Sequence, residues 1–258
     1  MFDLDRLRRM SFIARLDFHP EIGSTNSRGL ELAAQDGGPF PILVLAELQS
    51  SGRGRGANRW WSADGALTFS LVLDSTALRL PAQQWPQLSL ATGLAVAEAI
   101  EELLPSLPVQ VKWPNDVFAA GKKICGVLIE SPSASRGRVV VGIGVNVQNS
   151  FAATPPDLRQ RAAALCDLHP AEFDLTEVLA RILASLKSRW ETLAASGFTE
   201  IAAEYRRRFL LQDRLVTLES AGQTFTGVCL GIDDGGGLIL QSESRRSTHA
   251  AGSVVEFI

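Results

Sequence analysis

Apolar runs of strand length recur along the chain and are separated by turn-forming residues. Two of them, at residues 41–48 and 66–73, predict buried strands on either side of a Gly/Arg-rich loop. Three more lie at residues 109–113, 124–130 and 138–147. Pro, Asn, Asp and Gly join the first two of these three, which favours a pair of antiparallel neighbours.

Small and apolar residues at helical spacing predict four helices among these strands. They cover residues 24–35, 88–104, 174–194 and 199–209. The first begins at a Ser-Thr-Asn cap, and the third carries Asp174 and Glu177 in the positions of a capping box. Because the strands come in groups with hairpin-length connections, we predict an α+β fold. Its central sheet is mixed or antiparallel and is flanked by helices.

The character of the chain changes after Leu211. Short apolar runs there are separated by Gly-rich turns such as residues 233–237, which is typical of a small β-barrel. The sequence therefore predicts a larger domain at residues 1–211 and a small barrel domain at residues 212–258.

Composition excludes several classes of protein. The 25 Lys and Arg residues are balanced by 28 Asp and Glu residues, and a net charge of −3 disfavours a protein that coats nucleic acid. No apolar run approaches the roughly 20 residues of a membrane helix. Three distant cysteines and three scattered histidines favour neither a disulfide framework nor a histidine metal site. We expect a cytoplasmic protein without a membrane partner.

The segment QSSGRGRGANRWW, residues 49–61, follows a predicted strand. It lacks the Gly-Lys-Ser/Thr of a phosphate-binding P-loop, and its glycine spacing is not that of a dinucleotide-binding turn. Arg53 and Arg55 alternate with glycines and can present guanidinium groups to a phosphate or a carboxylate. The alternatives are a solvated Arg/Gly loop and a nucleic-acid-binding tract.

Lysine occurs only four times, and three of the four lie within residues 112–123. The motif KWPND begins at Lys112 and is followed by KKICG at residues 122–126. Asp116 and its neighbouring amide Asn115 are able to hold a phosphate-bound magnesium ion, and a lysine beside them can meet an acyl phosphate. Taken alone, Pro-Asn-Asp is ordinary turn chemistry that needs no function, and this structural interpretation is the favoured one.

Two further motifs allow both a structural and a binding interpretation. Gly142, Gly144 and Asn146 interrupt an apolar strand, which marks close approach of either a ligand or a neighbouring backbone. The Ser-Thr-Asn sequence at residues 24–26 caps a helix and still leaves side chains free for a ligand.

Together these motifs are more specific than any one of them. STN, Q-x-x-GRGR-x4-W, KWPND, KKICG and GIGVN occur in this order, with a small β-domain after them. From about residue 20 to the C-terminus this arrangement resembles the biotin protein ligases, also called biotin–[acetyl-CoA-carboxylase] ligases or holocarboxylase synthetases. The resemblance implies an SH3-like C-terminal barrel and a catalytic domain, residues 1–211, that binds biotin and ATP.

The resemblance implies a two-step reaction. Biotin and MgATP form biotinyl-5′-AMP and pyrophosphate, and a lysine of the biotin carboxyl carrier protein then takes the biotinyl group. Lys123, Arg55 and Asp116 match catalytic positions, and Asp116 also matches a contact to the Mg2+ of MgATP. A homodimer is compatible with the family.

The resemblance assigns biotin and ATP binding to a larger set. Ser24, Thr25 and Gln49 match positions that bind the ureido ring, and the strand glycines would let the fused ring lie close to the sheet. The whole predicted set is Ser24, Thr25, Asn26, Gln49, Gly52, Arg53, Gly54, Arg55, Trp60, Lys112, Asn115, Lys123, Gly126, Gly142, Gly144 and Asn146.

The chain departs from the family pattern in two places. Ala57 and Asn58 stand where Gly and a basic residue are usual, so either Arg59 substitutes or ATP binds less tightly. Residues 148–170, where a loop should close over the adenylate, match only loosely. With 23 residues before Ser24, too few for a winged helix, we expect the monofunctional form with no DNA role.

Other functions stay open at this point. A lipoate or octanoate ligase would share the fold, but its usual Arg-Arg-x-Ser-Gly-Gly signature is missing. A biotin-sensing protein that forms no adenylate is the alternative outside catalysis. A nucleic-acid binder is disfavoured by the net charge and by the position of the GRGR motif between two strands.

Overall fold

A seven-stranded mixed sheet forms the centre of the molecule. The computed structural model describes residues 2–9, 12–35, 38–132, 137–243 and 245–258. The strands of this sheet are β1 (Arg15–Ile22), β2 (Ile42–Gln49), β3 (Ala66–Asp74), β4 (Val109–Lys112), β5 (Asp116–Ala119), β6 (Lys122–Glu130) and β7 (Arg138–Asn146). Their order is β1-β2-β3-β7-β6-β5-β4. Only the pairing of β1 with β2 is parallel among those described, which confirms the predicted mixed sheet.

Helices cover both faces of this sheet. They are α1 (Leu4–Arg8), α2 (Thr25–Ala34), α3 (Trp85–Leu103), α4 (Pro156–Arg161), α5 (Leu165–Leu168), α6 (Leu175–Ser196) and α7 (Thr199–Arg207). On one face α3 packs on β4, β5 and β6 and carries α6 and α7, while on the other face α2 packs on β2, β3 and β7. The inner strands are therefore buried on both faces, which explains their unbroken apolar runs.

Three of the four predicted helices begin within one residue of the expected position, whereas α3 begins at Trp85, three residues before its predicted start. Ser24 accepts a hydrogen bond from the backbone N–H of Ser27 at 3.4 Å, as a cap residue should. Asp174 accepts from the N–H of Thr176 at 2.8 Å. Glu177 does not complete a capping box, because its carboxylate pairs with arginine side chains from α1 and α6 instead.

The predicted pairing of residues 109–113 with residues 124–130 is wrong. Strand β5 lies between them and pairs with β4 on one side and with β6 on the other. The connection therefore makes two turns, and the second uses positive φ angles at Ala120 and Gly121. Strand β1 was not predicted either, since its sequence RLDFHPEI mixes charged and apolar residues as an edge strand allows.

A second, antiparallel sheet of five strands follows the helices. Its strands are β8 (Leu215–Ser220), β9 (Gln223–Ile232), β10 (Leu238–Gln241), β11 (Arg246–His249) and β12 (Ser253–Phe257), in the order β11-β10-β9-β8-β12. This confirms the small C-terminal β-structure. Its apolar interior is continuous with the core beneath α3, so the division after residue 211 stays a prediction.

Candidate functional site

A cavity of about 430 Å³ lies over the middle of the central sheet. Its floor comes from β6 and β7, and its walls come from the start of α2, the Gly/Arg segment after β2, the KWPND turn and strand β12. Every site residue predicted from the sequence lines this cavity except Gly52 and Asn146. Motifs separated by more than 100 residues are thus brought to one place.

The Gly/Arg segment is a hairpin rather than an open loop. The N–H of Gly54 donates to the carbonyl of Asn58 at 2.9 Å, and the N–H of Trp60 donates to the carbonyl of Gly52 at 3.1 Å. A Cβ atom at Gly52 would lie 2.5 Å from the Trp60 carbonyl oxygen, so Gly52 serves the hairpin and not the cavity surface. We call residues 52–60 the GRGR hairpin.

Buried polar side chains form one end of the cavity. Gln49 Oε1 accepts from the N–H of Thr25 at 2.7 Å and from its hydroxyl at 3.1 Å. The hydroxyl of Ser70, a residue outside every predicted motif, lies 2.9 Å from Thr25 Oγ1 and 2.8 Å from Asn26 Oδ1. These contacts fix the side chains before any ligand binds, and they leave the amide NH2 of Gln49 for a ligand.

The strand glycines make room for protein side chains. A Cβ atom at Gly142 would overlap Asn26, and one at Gly144 would overlap the indole of Trp60. Protein side chains thus lie over both glycines, and the contact of a ligand ring with them stays a prediction. Nε1 of Trp60 is buried and has no acceptor among the described residues, so a polar ligand atom could satisfy it.

Cationic side chains form the other end. Lys123 Nζ lies 2.6 Å from Asp116 Oδ1. Arg55 donates to Asn115 Oδ1 at 3.2 Å and to the carbonyl of Gly252 at 3.0 Å. Burial lowers the pKa of Arg55, although the charge of Asp116 opposes this change. Such a partly desolvated cluster binds anions more strongly than exposed cations do.

Lys112 joins this end from strand β4. Its ammonium lies 3.4 Å from the carbonyl of Val254 and 5.0 Å from the ring centre of Phe257. Burial lowers its pKa; Asp116 acts in the opposite direction, and Lys123 lowers the pKa further. The lysine is therefore held by the C-terminal barrel.

Asn146 supports the cationic end from below. It is 2% exposed, its amide lies 3.5 Å from the carbonyl oxygen of Lys123, and its Oδ1 accepts from Asn149 at 3.1 Å. It thus contacts the backbone that carries Lys123 and not the cavity itself.

Several lining residues were not among the predicted site residues. Asn58 and Arg59, the departures from the family pattern, also line the cavity. The sequence interpretation missed Trp113, Pro114, Val127, Leu128, Ile143, Arg161, Ser253 and Val254. Arg161 ends α4, inside the segment that matches the family only loosely, and the barrel residues carry no motif. In the described part of the chain, no group of three or more His, Cys, Asp or Glu side chains could hold a metal ion. Nor does any described helix combine the length and apolarity needed to cross a bilayer.

Comparisons with known proteins agree with this geometry. Residues 21–147 match the model of the biotin/lipoate A/B protein ligase family. The chain is 35% identical over 247 residues to the biotin–[acetyl-CoA-carboxylase] ligase of Mycobacterium tuberculosis, covering 93% of this chain and 88% of that one. It is 32% identical to the enzyme of the same name from Paracoccus denitrificans, covering 90% and 96%.

A solved structure extends the agreement to the whole fold. The biotin protein ligase of Aquifex aeolicus in complex with biotin and ATP is 29% identical, with a TM-score of 0.80 over 95% of this chain and 97% of that one. The cavity, the motif order and these relatives lead to one assignment. The chain belongs to the biotin/lipoate A/B protein ligase family, and within it to the biotin protein ligases.

Proposed function

We propose that this protein is an ATP-dependent biotin protein ligase. It converts biotin and ATP to biotinyl-5′-AMP and pyrophosphate, and it then transfers the biotinyl group to a lysine of a biotin carboxyl carrier protein. The observation that carries the proposal is the cavity itself, which joins a hydrogen-bonding end to a cationic end. That pairing suits a molecule with a polar ring at one end and a carboxylate at the other.

The polar end would bind the ureido ring of biotin. The amide NH2 of Gln49 and the hydroxyl groups of Ser24 and Thr25 supply donors and acceptors in a buried setting. Lipoate and octanoate have no polar group to place there. A site whose buried polar groups would be left unpaired discriminates strongly against such substrates.

The cationic end would neutralise two anions that must approach each other. A biotin carboxylate oxygen attacks the α-phosphorus of ATP, a new O–P bond forms, and the bond between the α-phosphorus and the bridging oxygen of pyrophosphate breaks. Arg53, Arg55 and Lys123 would stabilise the charge on the phosphoryl oxygens in this step. In the second step a lysine amine of the carrier attacks the anhydride carbonyl and AMP leaves, with Asp116 available to meet the incoming amine.

Magnesium would enter as MgATP. Asp116 is the sole carboxylate among the residues that line the cavity, so phosphate oxygens of ATP and water molecules would supply the other ligands of the ion. Free cysteines and the use of ATP agree with a cytoplasmic protein. A homodimer stays a prediction.

The test is pyrophosphate release from MgATP with biotin, lipoate or octanoate as the acid. We expect pyrophosphate release with biotin and none with lipoate or octanoate. Release with lipoate or octanoate would leave the fold assignment unchanged but would show that the substrate is a different acid. Tight biotin binding without release would favour the sensor function, and Asn58 would then be the first residue to replace.

A further inference from the structure

Glu130 lies at the end of β6, just outside the residues that line the cavity. Its carboxylate makes two contacts at once: Oε1 accepts from Arg53 Nη2 at 2.6 Å, and Oε2 accepts from Asn26 Nδ2 at 2.8 Å. The Glu130 side chain is 23% exposed, whereas that of Arg53 is 41% exposed. The more buried carboxylate therefore anchors the more exposed arginine.

The two partners of Glu130 belong to two different parts of the cavity wall. Arg53 is part of the GRGR hairpin, and Asn26 is the second residue of α2, next to Thr25. Asn26 is fixed further by Leu128, whose carbonyl lies 3.4 Å from Nδ2, and by the hydroxyl of Ser70. A chain of contacts thus runs from the hairpin through Glu130 to the polar end.

Arg53 keeps most of its donors for other groups. A guanidinium carries five N–H donors, and Glu130 is the sole described acceptor for that of Arg53. The contact with Glu130 orients the guanidinium before substrate binds, so less conformational entropy is lost on binding. Glu130 thus orients the Arg53 guanidinium and leaves its other N–H groups available for a ligand.

We propose that Glu130 is a positioning residue that fixes Arg53 and Asn26 relative to each other and so aligns the GRGR hairpin with the polar end of the biotin site. The proposal rests on the proposed function. It predicts the sign of the change in biotin affinity when Glu130 is replaced. Removal of a negative charge beside an anion site should by itself strengthen anion binding. A positioning role requires the opposite result.

The experiment is the variant Glu130→Gln, assayed by biotin-dependent pyrophosphate release and by calorimetric titration with biotin. Gln keeps the size of the side chain but cannot accept from Arg53 and Asn26 with two carboxylate oxygens. We expect kcat/KM for biotin to fall on the order of tenfold to a hundredfold. Asp74→Asn is the matched control, since Asp74 also forms a partly exposed cross-strand ion pair, with Arg138, outside the cavity.

Two further measurements separate positioning from stability. In an Arg53→Gln background, Glu130→Gln should lower kcat/KM less than it does in the wild type, because only its contact with Asn26 is left to lose, whereas a general loss of stability would be undiminished. Trypsin should cleave the GRGR hairpin of Glu130→Gln faster than that of the wild type, and this result does not depend on catalysis. Biotin affinity equal to or above wild type in Glu130→Gln would overturn the proposal. Wild-type protein without biotin-dependent release would instead overturn the proposed function.

Discussion

Lys122 and Lys123 are adjacent in sequence but differ in environment. Lys123 lines the cavity with its ammonium 2.6 Å from Asp116, while Lys122 does not line it. We predict that Lys123→Ala lowers kcat for adenylate formation on the order of 10²–10³-fold, because a preorganised cation is lost from the reacting phosphate. Single-turnover formation of biotinyl-5′-AMP measures this directly.

Lys122→Ala is the control for that comparison. It removes the same charge one residue away, so it should keep kcat within a few-fold of wild type. Equal losses in the two variants would show that the net charge of β6 matters, and that contact between Lys123 and substrate does not.

Gly144 and Gly93 differ in the space available for a side chain. A Cβ atom at Gly144 would overlap the indole of Trp60, whereas one at Gly93 in α3 would meet nothing closer than Val117 Cγ2 at 4.0 Å. We predict that Gly144→Ala costs about 1–3 kcal/mol through overpacking and displaces Trp60 from the cavity. Gly93→Ala should stabilise the helix by about 0.5–1 kcal/mol.

Urea denaturation and biotin titration distinguish these outcomes. Gly144→Ala should lose both stability and biotin affinity, and Gly93→Ala should lose neither. Unchanged biotin affinity in Gly144→Ala would contradict a role for Trp60 at the ligand.

Sequence motifs predict which residues meet in the cavity better than they predict what each one touches. Arg55, Lys123 and Asp116 stand in recognisable motifs, and the fold brings them together. Asn26 and Gly142 were assigned to a ligand, yet they contact each other, because a strand glycine signals close approach without saying of what. Glu130 escaped notice, since its two partners are distant in sequence.

At the scale of elements, Asp167 organises the segment that carries Arg161. Burial alone would raise the pKa of Asp167. Hydrogen bonds from the hydroxyl of Ser150 and the N–H groups of Ala164 and Phe151 outweigh this effect and hold the pKa below its ordinary value. The same segment is attached to β6 by the N–H of Ala163, which donates to the carbonyl of Lys123 at 3.1 Å.

This depressed pKa gives a pH dependence with a definite sign. The stabilisation by the Asp167 carboxylate is complete above its unfolded pKa, about 3.9, and is lost as pH falls through the lower folded pKa. We predict that Asp167→Asn is less stable than wild type by about 1 kcal/mol at pH 7, a modest value because the group is exposed. The difference should shrink below about pH 4.

Urea denaturation of both proteins at pH 7 and pH 3 makes the comparison. A stability difference that is the same at both pH values would show that the shape of the side chain matters rather than its charge.

Long apolar elements were predictable from the sequence, and short or polar ones were not. Strands β2, β3 and β7 and helix α3 are largely buried, and helix α6 buries one regular face, so their patterns are unambiguous. Strand β5 has only four residues and begins at the end of a turn motif, so its sequence predicts a turn rather than a strand. Strand β1 lies at the edge, where little burial constrains its sequence.

At the scale of the whole molecule, the C-terminal barrel is part of the cavity wall. Its carbonyls at Gly252 and Val254 accept from Arg55 and Lys112. A third contact attaches the barrel beside the KWPND turn, where Nε1 of Trp113 donates to the carbonyl of Gly236 at 3.0 Å. Because two cationic residues of the site are held by barrel backbone, loosening the barrel should disturb catalysis as well as stability.

Trp113→Phe tests this attachment, with Trp85→Phe as its control. Both changes remove an indole N–H, but Nε1 of Trp85 is buried without an acceptor among the described residues, so its loss breaks no hydrogen bond. Trp113→Phe should therefore be less stable than Trp85→Phe by about 1–2 kcal/mol, since it leaves the Gly236 carbonyl unpaired. Because the barrel also holds Arg55 and Lys112, Trp113→Phe alone should slow biotin-dependent pyrophosphate release under conditions in which both variants are fully folded. If Trp113→Phe loses stability but keeps full activity, the barrel contributes to the fold and its attachment is not needed for the reaction.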